Sequence, residues 1–104
     1  MSGKPRASAS LDLQDGARAF VKGALHFDSV GALLPLGTAA IAGERASVID
    51  LAGVSAGDSA GLALLIEWLS VARGLGRKLR YEHMPRQLQQ LADLSEVEEL
   101  LLAD

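Results

Sequence analysis

The stretch that most restricts the fold runs from Ile49 to Arg73, I-D-L-A-G-V-S-A-G-D-S-A-G-L-A-L-L-I-E-W-L-S-V-A-R. A β-branched run, Val48 and Ile49 followed by Leu51, gives way to a segment holding Gly53 and Gly57, which opens into a long run of helix formers from Asp58. The order is strand, loop, helix. Asp58 is placed as the N-cap, its carboxylate accepting from the free first-turn N–H groups, which puts Ser59 at the positive end of the helix dipole.

The flanks extend this pattern. Ser10 to Asp15 alternates apolar and polar, with Leu11 and Leu13 on one face, and Asp15-Gly16 signals a hairpin. Ala17 to Leu25 supplies the return strand, with Ala19, Val21 and Leu25 on one face and Arg18, Phe20 and Lys22 on the other. Asp28 or Ser29 can cap a helix running to Gly43, in which Pro35 is expected to produce a kink or to end the first turn. Ala46 to Leu51 is the next strand, reached through a turn at Glu44 and Arg45. Beyond the long helix, Gly74-Leu75-Gly76 is a glycine stop, Leu79 to Glu82 a strand, and Pro85 the first position of a helix with Leu88, Leu91, Ala92 and Leu94 on one face. Ser95 and Glu98 form a capping box for a last short element, Glu96 to Leu102.

Strands alternating with helices imply βαβ crossovers. The expected fold is α/β, a small mixed sheet of four to five strands, parallel apart from the opening hairpin, with helices mainly on one face. Residues 1–9 read as a tail and 10–104 as a single domain. At 104 residues the chain can bury a core without staples, and with 49% apolar but only 4% aromatic residues that core must be Leu, Ala, Val and Ile, closely packed.

The same totals exclude several functions. A net charge of −3 with scattered basic residues opposes nucleic acid or anionic lipid as the main partner. The absence of cysteine removes thiol chemistry and thiolate metal sites. The first ten residues carry no apolar signal segment, and Ser29 to Gly43 is too short and too interrupted to span a bilayer, so a cytoplasmic location without direct membrane insertion is expected.

Gly57-Asp58-Ser59-Ala60-Gly61 matches the G-x-S-x-G nucleophile elbow, and it lies between strand and helix. A catalytic triad would need His83 with Glu67 or Glu82. Glu82 adjoins His83 and is expected on the opposite strand face, Glu67 lies about two turns along the helix, and no oxyanion loop accompanies the motif, so the residues argue against an enzyme. Phosphate cradling is opposed by the missing Lys and by the charge of Asp58. His26 and His83 lack ligand-spaced partners, so no metal is expected.

At about 100° per residue, Leu62, Leu64, Leu65, Trp68, Leu69, Val71 and Ala72 form the inward arc of the long helix. The remaining stripe holds Ser59, Ala63, Ile66, Glu67, Ser70 and Arg73. Its small residues would let a partner backbone come close, although an ordinary exposed face has the same composition.

The element order, with I-D-L (Ile49 to Leu51) leading into D-S-A-G-L-A-L-L (Asp58 to Leu65), resembles the STAS domain shared by sulphate transporters and anti-sigma factor antagonists. Within it, D-x-A-G-L-A-L-L and L-L-P-L (Leu33 to Leu36) resemble the MlaB-type branch, the small cytoplasmic subunit of a phospholipid-transport ABC complex. That resemblance implies a non-enzymatic subunit, peripheral to the inner membrane, in complex with the ATP-binding subunit, the permease and a lipid-binding subunit. It implies docking through the Asp58, Ser59, Ala63, Ile66, Glu67 and Ser70 surface. In the antagonists the first hydroxyl of D-S-S-G-L or D-S-T-G-L is phosphorylated, and Ser59 holds that position. Ala60 departs from the antagonist pattern, and Ser59 stands where the MlaB-type branch typically has Thr. No cofactor is implied.

Overall fold

The computed structural model describes residues 9–95. The tail before Ala9 and the element assigned to Glu96 to Leu102 lie outside them. Four strands form one sheet in the order β1-β2-β3-β4: β1 (Ala9–Gln14), β2 (Arg18–Leu25), β3 (Val48–Gly57) and β4 (Arg80–Glu82). The β1/β2 pair is antiparallel, β2/β3 and β3/β4 are parallel. Three helices follow α/β logic, α1 (Val30–Ala42), α2 (Ser59–Gly74) and α3 (Arg86–Leu94). The first strand starts at Ala9, paired with Gly23, one residue before the expected domain boundary.

The hairpin turn spans Asp15 to Ala17, and Gly16 (φ 82°) and Ala17 (φ 59°) both adopt left-handed backbone. Ala17 therefore belongs to the turn, and its carbonyl accepts from Ser47 N–H at 2.8 Å, tying the hairpin to the entry of β3. Ala19, Val21 and Leu25 of β2 and Ile49, Leu51 and Val54 of β3 are buried beneath the helices. Lys22 and Ala52 stay exposed on the opposite face.

Two expectations are corrected along β3, whose first residue is Val48 and not Ala46. The strand does not end at Leu51 but continues through Gly53 to Gly57. Its pairing with β2 shifts register between Phe20 and Lys22 and again between Gly23 and Ala24, so the buried residues run Ile49, Leu51, Val54, Gly57 and the two-residue alternation is lost. Gly53 is required there: a Cβ would stand 2.7 Å from Lys22 Cβ.

Around α1 one of the two alternatives for Pro35 is corrected: the proline does not end the first turn but stands inside the helix. The helix passes through Pro35 without a break. The carbonyl that loses its partner is that of Gly31, and both residues are exposed, which leaves that turn of the helix on the solvent side. Ser29 is the N-cap by position, but its buried hydroxyl makes no capping bond; it accepts from His26 N–H at 2.9 Å and donates to Ala24 O at 2.7 Å.

Packing between the helices centres on Trp68, which is fully buried and donates from Nε1 to Leu34 O at 3.2 Å. The helix α3 starts one residue later than expected, with Pro85 as N-cap, and buries Leu88 and Ala92. Leu94, assigned to its inner face, is 82% exposed at the helix end. Among the described residues no helix is long and apolar enough to cross a membrane.

Candidate functional site

The end of β3 meets the start of α2 at Asp58, whose carboxylate binds two segments at once. Oδ1 accepts from Ala60 N–H (2.9 Å) and Gly61 N–H (3.2 Å), the capping geometry expected from sequence. Oδ2 accepts from Phe27 N–H at 3.2 Å and so holds the β2–α1 turn against the helix. Burial opposes ionisation of Asp58, but the N–H groups of Gly61, Phe27 and Ala60 outweigh it and hold the carboxyl below its ordinary value.

The first turn of α2 is pressed onto β2. A Cβ on Gly61 would stand 2.5 Å from Leu25 O, so only glycine permits this approach. From the other side Gln87 of α3 accepts from Gly57 N–H at 3.1 Å, and Leu88 lies where a Gly57 side chain would go. Ser59 is thus an exposed hydroxyl on a firmly held helix start.

The stripe divides in two. Ala63 and Glu67, with Ala60 and Leu64, border a shallow apolar groove whose opposite wall is Val30, Gly31 and Leu34 of α1. Ile66 and Ser70 lie with Leu69 and Arg73 in a second depression. Ile66, placed by its spacing in the outer stripe, is half-buried against the core. The α1 wall of the groove was invisible from the α2 pattern alone, because nothing in local spacing says which turns of two helices lie side by side.

No triad assembles at Ser59. The His83 ring meets Asp50 at 2.9 Å, and Asp50 precedes Ser59 by most of β3, roughly 20 Å of extended chain. Glu82 pairs with Arg18 (2.5 Å) and Arg80 (3.1 Å). His83 and Glu82 nonetheless share one neighbourhood, contrary to the strand-face expectation: β4 ends at Glu82, and His83 at φ 58° swings its ring back toward Asp50.

Asp50, Glu82 and His83 offer donor atoms within 4.8 Å of one another, a set that linear spacing did not reveal. Two positive charges stand beside them: Arg18, 2.5 Å from Glu82 and 3.8 Å from Asp50, and Arg80, 3.1 Å from Glu82. The Arg18 hydrogen bond is the main influence holding the Glu82 carboxyl below its usual value. At Asp50, burial is outweighed by bonds from Ala52 N–H and His83, with the same result. This is a cross-strand ion network on the open face of the sheet.

A sheet with one antiparallel edge hairpin, helices on one face and a capped helix start carrying an exposed hydroxyl defines a STAS-type domain. The chain belongs to the STAS-domain family: the model described as "Mlab, STAS domain" matches residues 11–103. No curated protein sequence matches significantly. Among solved structures, the chain is similar to the anti-sigma factor antagonist SpoIIAA in its unphosphorylated form, with 13% identity, a TM-score of 0.68 and coverage of 89% of this chain and 84% of that one. The phosphorylated form of SpoIIAA, described as a Bacillus cell fate determinant, gives 14%, 0.65, 86% and 85%. A crystal structure of Mglu gives 25% identity and a TM-score of 0.57 over 74% of this chain and 20% of that one.

Proposed function

We propose that this chain is a non-enzymatic accessory subunit that binds and supports the ATP-binding subunit of an ABC-type phospholipid transporter, on the cytoplasmic side and peripheral to the inner membrane through that partner. The observation that carries the reading is the apolar groove between α1 and α2, open along Ala63 and Glu67 and headed by exposed Ser59. The MlaB description of the family supports the choice of partner. Small residues at Ala60, Ala63 and Gly31 leave room for a partner side chain or backbone to seat between the helices.

Ser59→Arg and Ala63→Glu should each abolish co-purification with the ATP-binding subunit while leaving the melting temperature unchanged. Both positions are exposed, so folding is not at stake. Normal co-purification by both variants would reject this surface.

The exposed hydroxyl of Ser59 favours a second reading, a phosphoswitch of the antagonist kind, since SpoIIAA has been solved in both phosphorylation states. Asp58 already takes the Ala60 and Gly61 N–H groups, so a phosphate on Ser59 would add about −2 charge beside a carboxylate instead of replacing it. Incubation with ATP and a candidate kinase partner, read by mass spectrometry for phosphoserine, tests it. An unmodified Ser59 counts against the switch.

A further inference from the structure

The chain has two Phe, one Trp and one Tyr, and of these only Phe27 is exposed, at 83%. It sits in the turn between β2 and α1, which is unusually well fastened for a surface turn. Phe27 N–H donates to Asp58, His26 N–H donates to Ser29 Oγ, and Ser29 and Val30 N–H both donate to His26 O, at 2.9 and 3.1 Å. The Ser29 hydroxyl, buried, closes the set on Ala24 O. A phenyl ring with no packing role is thus carried by a backbone that has little freedom left to lose on binding. Phe27 N–H is bonded to Asp58, the cap immediately before Ser59, and Val30, three residues on, forms part of the groove wall, so the turn that carries the ring adjoins the groove.

Apart from His26, the ionisable side chains of the segments that build this surface share one sign. The β2–α1 turn, all of α1, and α2 from its cap to Glu67 carry no Lys or Arg; their charged residues are Asp28, Asp58 and Glu67. Asp28 and Glu67 are exposed. A second copy of this chain would bring acid against acid, and an anionic bilayer would be repelled.

We propose that Phe27 is the anchor of the docking surface and that it enters an apolar pocket with a basic rim on a protein partner. This rests on the docking reading above and adds to it the residue that contributes most affinity and the charge of the partner. Asp58 acts as a positioning residue by fastening the turn that carries the ring.

Two purified candidates, the ATP-binding subunit of the transporter and the kinase-type partner of the switch reading, provide the probes. Their affinity for the intact chain is measured by calorimetry alongside Phe27→Ala, Phe27→Leu and Ala63→Glu. Phe27→Ala should weaken binding about thirty-fold or more, the loss typical of an interface anchor. Phe27→Leu should restore most of it, and all three variants should melt with the parent. The association rate should fall with salt and fall again in Asp28→Lys. Loss of binding in Ala63→Glu with full binding in Phe27→Ala overturns the anchor and leaves the docking reading standing. A salt-insensitive association rate overturns the basic rim. If neither probe binds the intact chain, both readings fall. Phe27-dependent binding to phosphatidylglycerol vesicles, or a dimer abolished by Phe27→Ala, would instead make the ring a membrane or self-association contact and overturn the proposal.

Discussion

The indole of Trp68 occupies the space a side chain on Gly37 would need: a Cβ there would lie 2.2 Å from Trp68 Cε2. One glycine therefore sets how closely α1 and α2 approach, and with it the width of the groove that both helices line. The neighbouring hydrogen bond from Trp68 Nε1 to Leu34 O fixes the ring in that slot.

Gly37→Ala tests this contact. Overpacking a rigid buried ring costs about 1–3 kcal/mol, more than offsetting the gain of about 1 kcal/mol that alanine brings to a helix interior. Urea unfolding should show a loss for Gly37→Ala. Gly31→Ala, on the same helix with open space around it, should instead gain up to about 1 kcal/mol. Equal shifts in both variants would mean that Trp68 is free to move away.

Asp58 predicts a pH dependence with a defined sign. Its folded-state carboxyl is held below the ordinary value, so its contribution is present above the unfolded pKa of about 3.9 and is lost as pH falls through the lowered folded value. Asp58→Asn keeps a capping side chain without the charge, and its deficit against the parent should shrink on going from neutral pH to about pH 2, below the ordinary range. Asp58→Ala should cost about 1 kcal/mol at neutral pH. A deficit for Asp58→Asn that stays constant across the whole range would contradict the assignment.

Tyr81 gives the alkaline counterpart. Its hydroxyl donates to Leu65 O at 2.6 Å, and burial pushes the phenol well above its ordinary value. Stability is therefore complete below the unfolded pKa of about 10 and declines as pH rises beyond it, because only the unfolded chain ionises readily. Tyr81→Phe should lose about 1 kcal/mol at neutral pH and lack that alkaline decline. Tyr81 is the sole tyrosine, so phenolate absorbance follows the same event directly.

Where local chemistry was strong, the residues alone were sufficient. Asp58 caps α2 because a carboxylate ahead of a helical run finds free N–H groups within reach. Ala19, Val21 and Leu25 face inward because period-two alternation leaves them no other face. The stop at Gly76, with φ 69°, follows from what only glycine tolerates cheaply. The STAS resemblance rested on the element order and on the Ile49 to Leu51 and Asp58 to Leu65 stretches, and both the family match and the four-stranded sheet agree with it.

What tertiary structure decided lies where distant segments share one place. The extension of β3 to Gly57 depends on register shifts against β2 that erase the alternation used to recognise strands. The grouping of Asp50, Glu82 and Arg18 depends on which strands are neighbours in the sheet. The same holds at the end of β3. Sequence placed the cap at Asp58 and put Ser59 on an exposed first turn; only the fold delivered Phe27 N–H to the second oxygen of Asp58 and brought α1 alongside Ala63. A cap is a contact over two or three residues, whereas a groove needs two helices aligned across the core, and that alignment is set by Gly37 and Trp68, 31 positions apart in the chain.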